Sequence, residues 1–184
     1  MSTTAIVLIL VAAIMIAVIA WMYYRTERSK KLKSRFGPEY DQAVNTYGSS
    51  PKAEAALSER QERMKKLNIR SLTPAERDRF AAQWHDVQAM FVDDPSRTIE
   101  KADQLVCEVM QTRGYLMSDF DGRAEDLSVD HPAVVQNYRA GHAIALRRER
   151  GEATTEDLRK AFVYYRDLFD ELLETHVTEP ATRQ

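Results

Sequence analysis

The hydrophobic and polar positions divide the chain into an apolar N-terminal stretch and a longer polar remainder with helical periodicity. Residues 5–24, AIVLILVAAIMIAVIAWMYY, include no charged side chain. A helix of this length spans about 30 Å, which matches the hydrocarbon thickness of a bilayer. Trp21, Tyr23 and Tyr24 end the stretch, where an interfacial aromatic belt is expected. The pattern therefore predicts a transmembrane helix at 5–24, after a short N-terminal tail at 1–4.

Basic residues follow the apolar stretch at once, and they are Arg25, Arg28, Lys30, Lys31, Lys33 and Arg35. Because positive flanks remain in the cytoplasm, this bias predicts an external N-terminus and an internal C-terminal part at 25–184. The same residues are expected to attract anionic lipid, at roughly 1 kcal/mol per residue near the membrane surface. The alternative is an exported domain behind a signal peptide. It is disfavoured because residues 1–4 lack a basic side chain and the apolar stretch is long.

Beyond the apolar stretch, hydrophobic residues recur at helical spacing, and no segment alternates with the period of a strand. The first helix is expected to continue to Phe36, where Gly37-Pro38 stops it. Pro38 then opens a short helix at 39–47. Residues 52–67 predict a charged helix with few apolar positions. Two roles remain open for this helix: a stalk between membrane and domain, or a surface helix packed on the domain.

The compact domain is predicted to begin at Thr73, where Thr73-Pro74-Ala75-Glu76 forms a capping box with proline at the first helical position. Four long helices follow, and Asp130-His131-Pro132 is expected to open the third. Their apolar positions are Phe80, Trp84, Val87 and Phe91 in the first; Ile99, Ala102, Val106, Val109 and Met110 in the second; Val134, Val135, Tyr138, Ala145 and Leu146 in the third; and Leu158, Phe162, Tyr165, Leu168, Phe169 and Leu172 in the fourth.

These patterns predict an all-α fold with an N-terminal transmembrane helix, a charged helical stalk and a small antiparallel bundle of about four helices. The basic juxtamembrane segment and the stalk occupy 25–72, and the bundle occupies 73–176. Residues 177–184 show no further pattern and are expected to form a flexible tail.

Charge and motif content narrow the function classes. The net charge of −2 gives no electrostatic indication of nucleic-acid binding. A single cysteine, Cys107, excludes an internal disulfide framework and a thiolate zinc cluster. The nucleophile elbow, the phosphate-binding loop, the dinucleotide turn and the HExxH metal motif are all absent from the sequence. We therefore predict no enzyme, no cofactor and no metal.

Side chains that can carry charge or exchange protons cluster most densely in one region, and they are Asp130, His131, Tyr138, Arg139 and His142. His131 and His142 lie about 16 Å apart along one continuous helix, so they cannot share a metal ion. His131 is expected to support the helix N-terminus together with Asp130, and His142 to be a hydrogen-bonded core or boundary histidine. We predict that the five residues form an interaction or small-ligand surface.

Three segments resemble an uncharacterised bacterial family of single-pass membrane-anchored helical proteins, often labelled hypothetical or secreted. They are Arg35-Phe-Gly-Pro-Glu-Tyr-Asp41, Phe91-Val-Asp-Asp-Pro95, and Ser128-Val-Asp-His-Pro132 with Tyr138-Arg139 and His142. The resemblance covers roughly residues 30–172. It implies a bacterial inner-membrane setting and transfers no catalytic residue.

The expected function is that of a membrane-tethered structural or interaction protein, with the bilayer and a protein partner as its contacts. Self-association has one weak signal, the small-xxx-small pair Ala13 and Ala17. The alternatives are a small-ligand or stress-sensing helical module at the membrane and, more weakly, an exported envelope protein.

Overall fold

The computed structural model describes residues 3–174, with the side chains of that range except those of residues 3–9 and 11. Over this range every regular element is a helix, which confirms the predicted all-α class. The helices are α1 (Thr3–Phe36), α2 (Pro38–Tyr47), α3 (Ser50–Met64), α4 (Pro74–Met90), α5 (Pro95–Arg113), α6 (Phe120–Asp130), α7 (Val135–Glu149) and α8 (Thr155–Glu174). His176 and the tail predicted at 177–184 lie outside the described residues.

The chain forms two compact units, Met1–Leu57 and Ser58–Gln184. In the first unit, α1 runs through the basic residues and ends at Phe36, as the sequence predicts. Gly37 then adopts a positive φ of 50°, which side chains disfavour, and Pro38 occupies the first turn of α2. The Gly-Pro break is therefore confirmed.

A shared carboxylate links the three helices of the first unit. Glu54 of α3 is 9 % exposed, and its Oε1 accepts hydrogen bonds from Ser29 Oγ at 2.6 Å and Tyr40 OH at 2.9 Å. Ser29 belongs to α1 and Tyr40 to α2. Leu32 and Phe36, in the same part of α1, are also buried, at 6 % and 0 % exposure. The polar network thus fixes how the end of α1 meets its two neighbours.

Within the part of the chain that the structure describes, no helix is long and apolar enough to cross a membrane. The predicted span at 5–24 includes residues 5–9 and 11, whose side chains lie outside the described part.

The second unit is a helical bundle in which α8 packs against α5 and α7, and α4 packs against α5. The capping box at Thr73 is confirmed: Glu76 N donates to Thr73 Oγ1 at 3.2 Å, and Thr73 N donates to Glu76 Oε2 at 2.8 Å. Trp84 is 6 % exposed and stacks on Phe162 and Phe169, with ring centroids 5.2 Å and 4.5 Å apart. Most of the apolar positions predicted from the sequence thus supply the bundle core, whereas Leu146 is 41 % exposed.

The C-terminal part of α3 packs on α6 inside the second unit. Arg60 Nη2 lies 2.9 Å from Glu125 Oε1, and Arg63 Nη2 lies 2.8 Å from Asp126 Oδ1. Arg60 and Asp126 are only 6 % and 2 % exposed. For this part of the helix the contacts favour packing on the domain, the second of the two roles that the sequence left open.

The region around His131 differs from the prediction. The third long helix begins at Val135 instead of Pro132, and Asp130 is the last residue of α6. His131 N donates to Leu127 O at 2.7 Å, so the backbone continues the turn of α6. His131 is also only 2 % exposed, and its ring nitrogens lie within hydrogen-bond distance of Tyr115 and Glu171. The long-range contacts of the buried His131 ring therefore override the helix start that Asp130-His131-Pro132 predicts.

Candidate functional site

A surface cleft of about 450 Å³ lies between the start of α6 and one face of α7. Asp119 Oδ1 accepts a hydrogen bond from Gly122 N at 2.9 Å, and this cap fixes the first turn of α6 at the cleft. The lining residues are Asp119, Phe120, Asp121, Arg139, His142, Ala143 and Leu146. Carboxylates therefore lie on the α6 side, and a guanidinium and an imidazole lie on the α7 side.

An aromatic stack forms one wall of the cleft. The rings of Phe120 and His142 are nearly parallel, with their centroids 3.6 Å apart, and Phe120 also contacts Tyr138 at 4.8 Å. Burial lowers the pKa of His142, while the nearby Asp103 carboxylate opposes this effect. His142 is consequently neutral at pH 7, and it presents one donor and one acceptor nitrogen.

Polar side chains continue beneath the stack into the bundle. Arg123 Nε donates to Tyr138 OH at 3.2 Å, and Arg123 Nη1 donates to Ser118 O at 2.7 Å. The Asp103 carboxylate and the Tyr165 hydroxyl group lie close to each other in this layer, and both are largely buried. Burial raises the pKa of the Asp103 carboxyl group, and burial and the Asp103 charge together raise that of Tyr165. This layer can take up a proton at Asp103 more readily than an exposed aspartate can.

The thiol of Cys107 lies next to this polar layer. Burial raises its pKa, and the Asp103 carboxylate raises it further. Because the thiolate is the reactive form, Cys107 is a weak nucleophile at neutral pH. The polar layer therefore favours structure or ligand binding over nucleophilic catalysis.

His131 belongs to a separate site at the C-terminal end of α6. Its Nδ1 lies 3.0 Å from Glu171 Oε1, and its Nε2 lies 3.1 Å from Tyr115 OH. Burial and the nearby Arg113 charge lower the pKa of His131, although the hydrogen bond to the Glu171 carboxylate opposes them. In the neutral ring, Nδ1–H donates to Glu171 and Nε2 accepts from the Tyr115 hydroxyl. His131 thus ties α6 to α8 and to the segment after α5.

Acidification tests the protonation state of His131. Its folded pKa lies below the ordinary value of about 6.5, so below that pH the unfolded chain binds the proton first and stability falls. We expect His131→Gln to lose less stability than the wild type between pH 7.5 and pH 5.5. Urea unfolding of the full chain in mild detergent, followed by circular dichroism, measures both losses. His85→Gln, at an exposed position, is the control and should match the wild type; an equal loss in all three proteins would contradict the assignment.

The structure divides the five residues that the sequence grouped as one surface. Arg139 and His142 line the cleft, and Tyr138 lies beneath them with no exposed surface. His131 is buried at its own site, and Asp130 is exposed at the end of α6.

The sequence pattern did not reveal the residues around Tyr138 and His142, which are Asp103 and Cys107 of α5 together with Phe120 and Arg123 of α6. A signal was present on α5. Asp103 and Cys107 are four residues apart, so they lie on the same face of the helix, next to the apolar positions Ala102 and Val106. Polar side chains at this spacing indicate that the buried face of the helix has a polar border.

A second cavity, of about 340 Å³, lies in the first unit at the end of the apolar segment. Trp21, Tyr24, Arg25 and Arg28 of α1 form one side, and Pro51, Glu54 and Ala55 of α3 form the other. Four of the predicted membrane-surface and aromatic residues therefore come together in one pocket. Tyr23, Lys30, Lys31, Lys33 and Arg35 are exposed on α1 outside its lining.

Across the described residues, no group of three or more histidine, cysteine, aspartate or glutamate side chains is placed to hold a metal ion. No protein-family model, no curated protein and no solved structure matches this chain. Its own residues and their geometry are therefore what bears on its function.

Proposed function

We propose that this protein is a single-pass protein of the bacterial inner membrane, which presents its helical bundle to a protein partner in the cytoplasm. The observation that carries the proposal is the exposure of large apolar side chains around α1. These side chains are 49–70 % exposed, and they are Leu10, Ile14, Met15, Ile16, Val18, Ile19, Trp21, Met22, Tyr23 and Tyr24. A helix that is apolar on all faces is stable when lipid or protein covers it. Bilayer hydrocarbon matches the uncharged length of 5–24.

The orientation follows from the charges after this segment. The segment from Arg25 to Arg35 contains six basic residues and one acidic residue, Glu27. Glu27 Oε1 lies 3.2 Å from Lys30 Nζ. Positive charge on the C-terminal side of the span favours retention of that side in the cytoplasm. The same charges favour contact of this part of α1 with anionic headgroups.

Tethering is the mechanism that these features support. An anchored bundle and a partner at the same membrane meet at a raised effective concentration without any new contact. The protonated Cys107 thiol and the engaged ring nitrogens of His131 provide no support for a catalytic centre. We therefore favour binding over catalysis.

Reporter fusions after Gln184 test the proposal. We expect a fluorescent protein that matures in the cytoplasm to be bright, and an export-dependent phosphatase to be inactive. The full chain should stay in the membrane pellet after alkaline carbonate extraction, and a variant lacking residues 5–24 should be soluble. As a matched control, an unrelated uncharged membrane segment in place of 5–24 should restore the pellet. Active phosphatase would instead support the exported alternative, and extraction of the full chain by carbonate would contradict the anchor.

A second candidate, a small-ligand module, is favoured by the cleft at Phe120 and His142. Its stacked rings suit a planar aromatic ligand, and the Arg139 guanidinium can pair with a negative group on the α7 side, away from Asp119 and Asp121 on the α6 side. A thermal-shift screen of aromatic carboxylates and nucleoside monophosphates tests this candidate. Stabilisation should be lost in Arg139→Gln/His142→Gln and kept in Arg150→Gln, whose side chain is exposed outside the cleft. A flat screen would count against it.

A further inference from the structure

We infer that the 340 Å³ pocket of the first unit binds the phosphodiester group of one anionic phospholipid molecule. The inference rests on the membrane insertion of residues 5–24 proposed above, and it adds a defined lipid site to that anchor. The pocket is formed where α1 leaves the apolar segment and the first turns of α3 meet it.

The spacing of the α1 residues places them on one helix face. Trp21, Tyr24, Arg25 and Arg28 lie at positions i, i+3, i+4 and i+7. Along the axis they extend over about 10 Å. Since the polar headgroup region adds about 5–7 Å on each side of the hydrocarbon core, this face crosses the headgroup layer if 5–24 spans the core. Trp21 then lies at the apolar boundary and Arg28 at the aqueous boundary.

The charges of the pocket fit a single negative group. Two guanidinium groups, those of Arg25 and Arg28, face one carboxylate, that of Glu54, so the pocket carries a net charge of +1. Glu54 Oε1 accepts from Ser29 and Tyr40, and these bonds fix the carboxylate toward α1 and α2. A guanidinium group binds phosphate oxygens in a planar, bidentate manner. A phosphodiester with an uncharged remainder, as in phosphatidylglycerol, balances this charge.

Aromatic and backbone groups add to this recognition. The Arg25 guanidinium lies 5.5 Å from the centroid of the Trp21 ring, a cation–π contact that holds it at the pocket wall. The positive end of the α3 dipole lies on the opposite wall, near Pro51. Phosphatidylcholine carries an additional ammonium charge, which two arginines and this dipole repel. The pocket should therefore prefer phosphatidylglycerol to phosphatidylcholine.

Lys30 and Lys31 provide a matched control for diffuse electrostatic attraction. They are exposed, they lie two and three residues after Arg28, and they do not line the pocket. General attraction to anionic lipid predicts that losing Lys30 and Lys31 weakens binding as much as losing Arg25 and Arg28. A pocket predicts that only the arginine pair matters.

Quenching of tryptophan fluorescence by brominated lipid measures this preference. The full chain is reconstituted into vesicles in which either the phosphatidylglycerol or the phosphatidylcholine is brominated, at equal mole fractions. Trp21 lines the pocket, whereas Trp84 is buried in the second unit and gives a constant background. We expect about a fivefold preference for phosphatidylglycerol in the wild type and in Lys30→Gln/Lys31→Gln. In Arg25→Gln/Arg28→Gln the preference should fall to the lower level that diffuse attraction by the remaining basic residues produces.

Flotation of the same vesicles separates the two proposals. If the chain does not float with the vesicles, membrane insertion fails and the proposed function falls with it. If all variants float but the two double variants lose the preference equally, the pocket is overturned and the anchor stands. A last measurement adds inorganic phosphate in millimolar excess. The preference for phosphatidylglycerol should stay unchanged. If phosphate abolishes this preference, the pocket binds free phosphate instead of a lipid.

Discussion

Replacing Trp84 with alanine is expected to lower the free energy of unfolding of the bundle by about 4 kcal/mol. The indole ring is buried and lies on the rings of Phe162 and Phe169 of α8, at interplanar angles of 10° and 18°. Alanine removes this large apolar contact between α4 and α8 and leaves a cavity that the two phenylalanine rings cannot fill without moving. Urea unfolding of the full chain in mild detergent, followed by circular dichroism, measures the loss.

Two further substitutions in the same region calibrate the effect of Trp84→Ala. Trp84→Phe keeps a flat ring on Phe169 and should lose about half as much stability, because less apolar area is removed. Val92→Ala lies just after α4 at a side chain that is 87 % exposed, and it should change stability by less than about 0.5 kcal/mol. A loss in Trp84→Ala no larger than that in Val92→Ala would show that the stacked rings do not support the bundle.

Replacing Arg113 with alanine is expected to cost about 3 kcal/mol. Arg113 is 1 % exposed at the end of α5, and its Nη1 donates to Leu172 O at 2.9 Å, in the last turn of α8. Its Nε donates to Arg70 O at 3.3 Å, while Arg70 N donates back to Arg113 O at 2.9 Å. Since the last carbonyls of a helix lack partners within it, the guanidinium acts as a cap for α8. Alanine removes the donor of the buried Leu172 carbonyl and of the partly buried Arg70 carbonyl.

The measurement is again urea unfolding, and two variants separate the contributions. Arg113→Lys keeps the positive charge but cannot donate in two directions with the same geometry, so we expect an intermediate loss. Gln111→Ala, at an exposed position of the same helix turn, should leave stability within about 0.5 kcal/mol of the wild type. Full stability in Arg113→Ala would refute the capping role.

The sequence alone predicted the features that depend on local signals. The Gly37-Pro38 break, the capping box at Thr73 and the Trp84 position in the apolar stripe of α4 depend on backbone preferences and helical periodicity. These effects act over a few residues, so they can be identified without knowing what packs against each helix. The membrane anchor is also predicted from a local pattern, and it stays a prediction that the reporter and extraction experiments test.

The tertiary structure decided which side chains meet. His131 and His142, grouped on one surface by their position in the sequence, lie at different sites, because α6 and α8 bury the first ring and Phe120 stacks on the second. The partners Glu171 and Tyr115 are 40 and 16 residues away from His131 in the chain. Burial and long-range hydrogen bonds depend on how the helices pack, and a local pattern does not encode that packing. Most helices of this protein therefore follow from its sequence, whereas the start of α7 and the candidate sites follow from the contacts between helices.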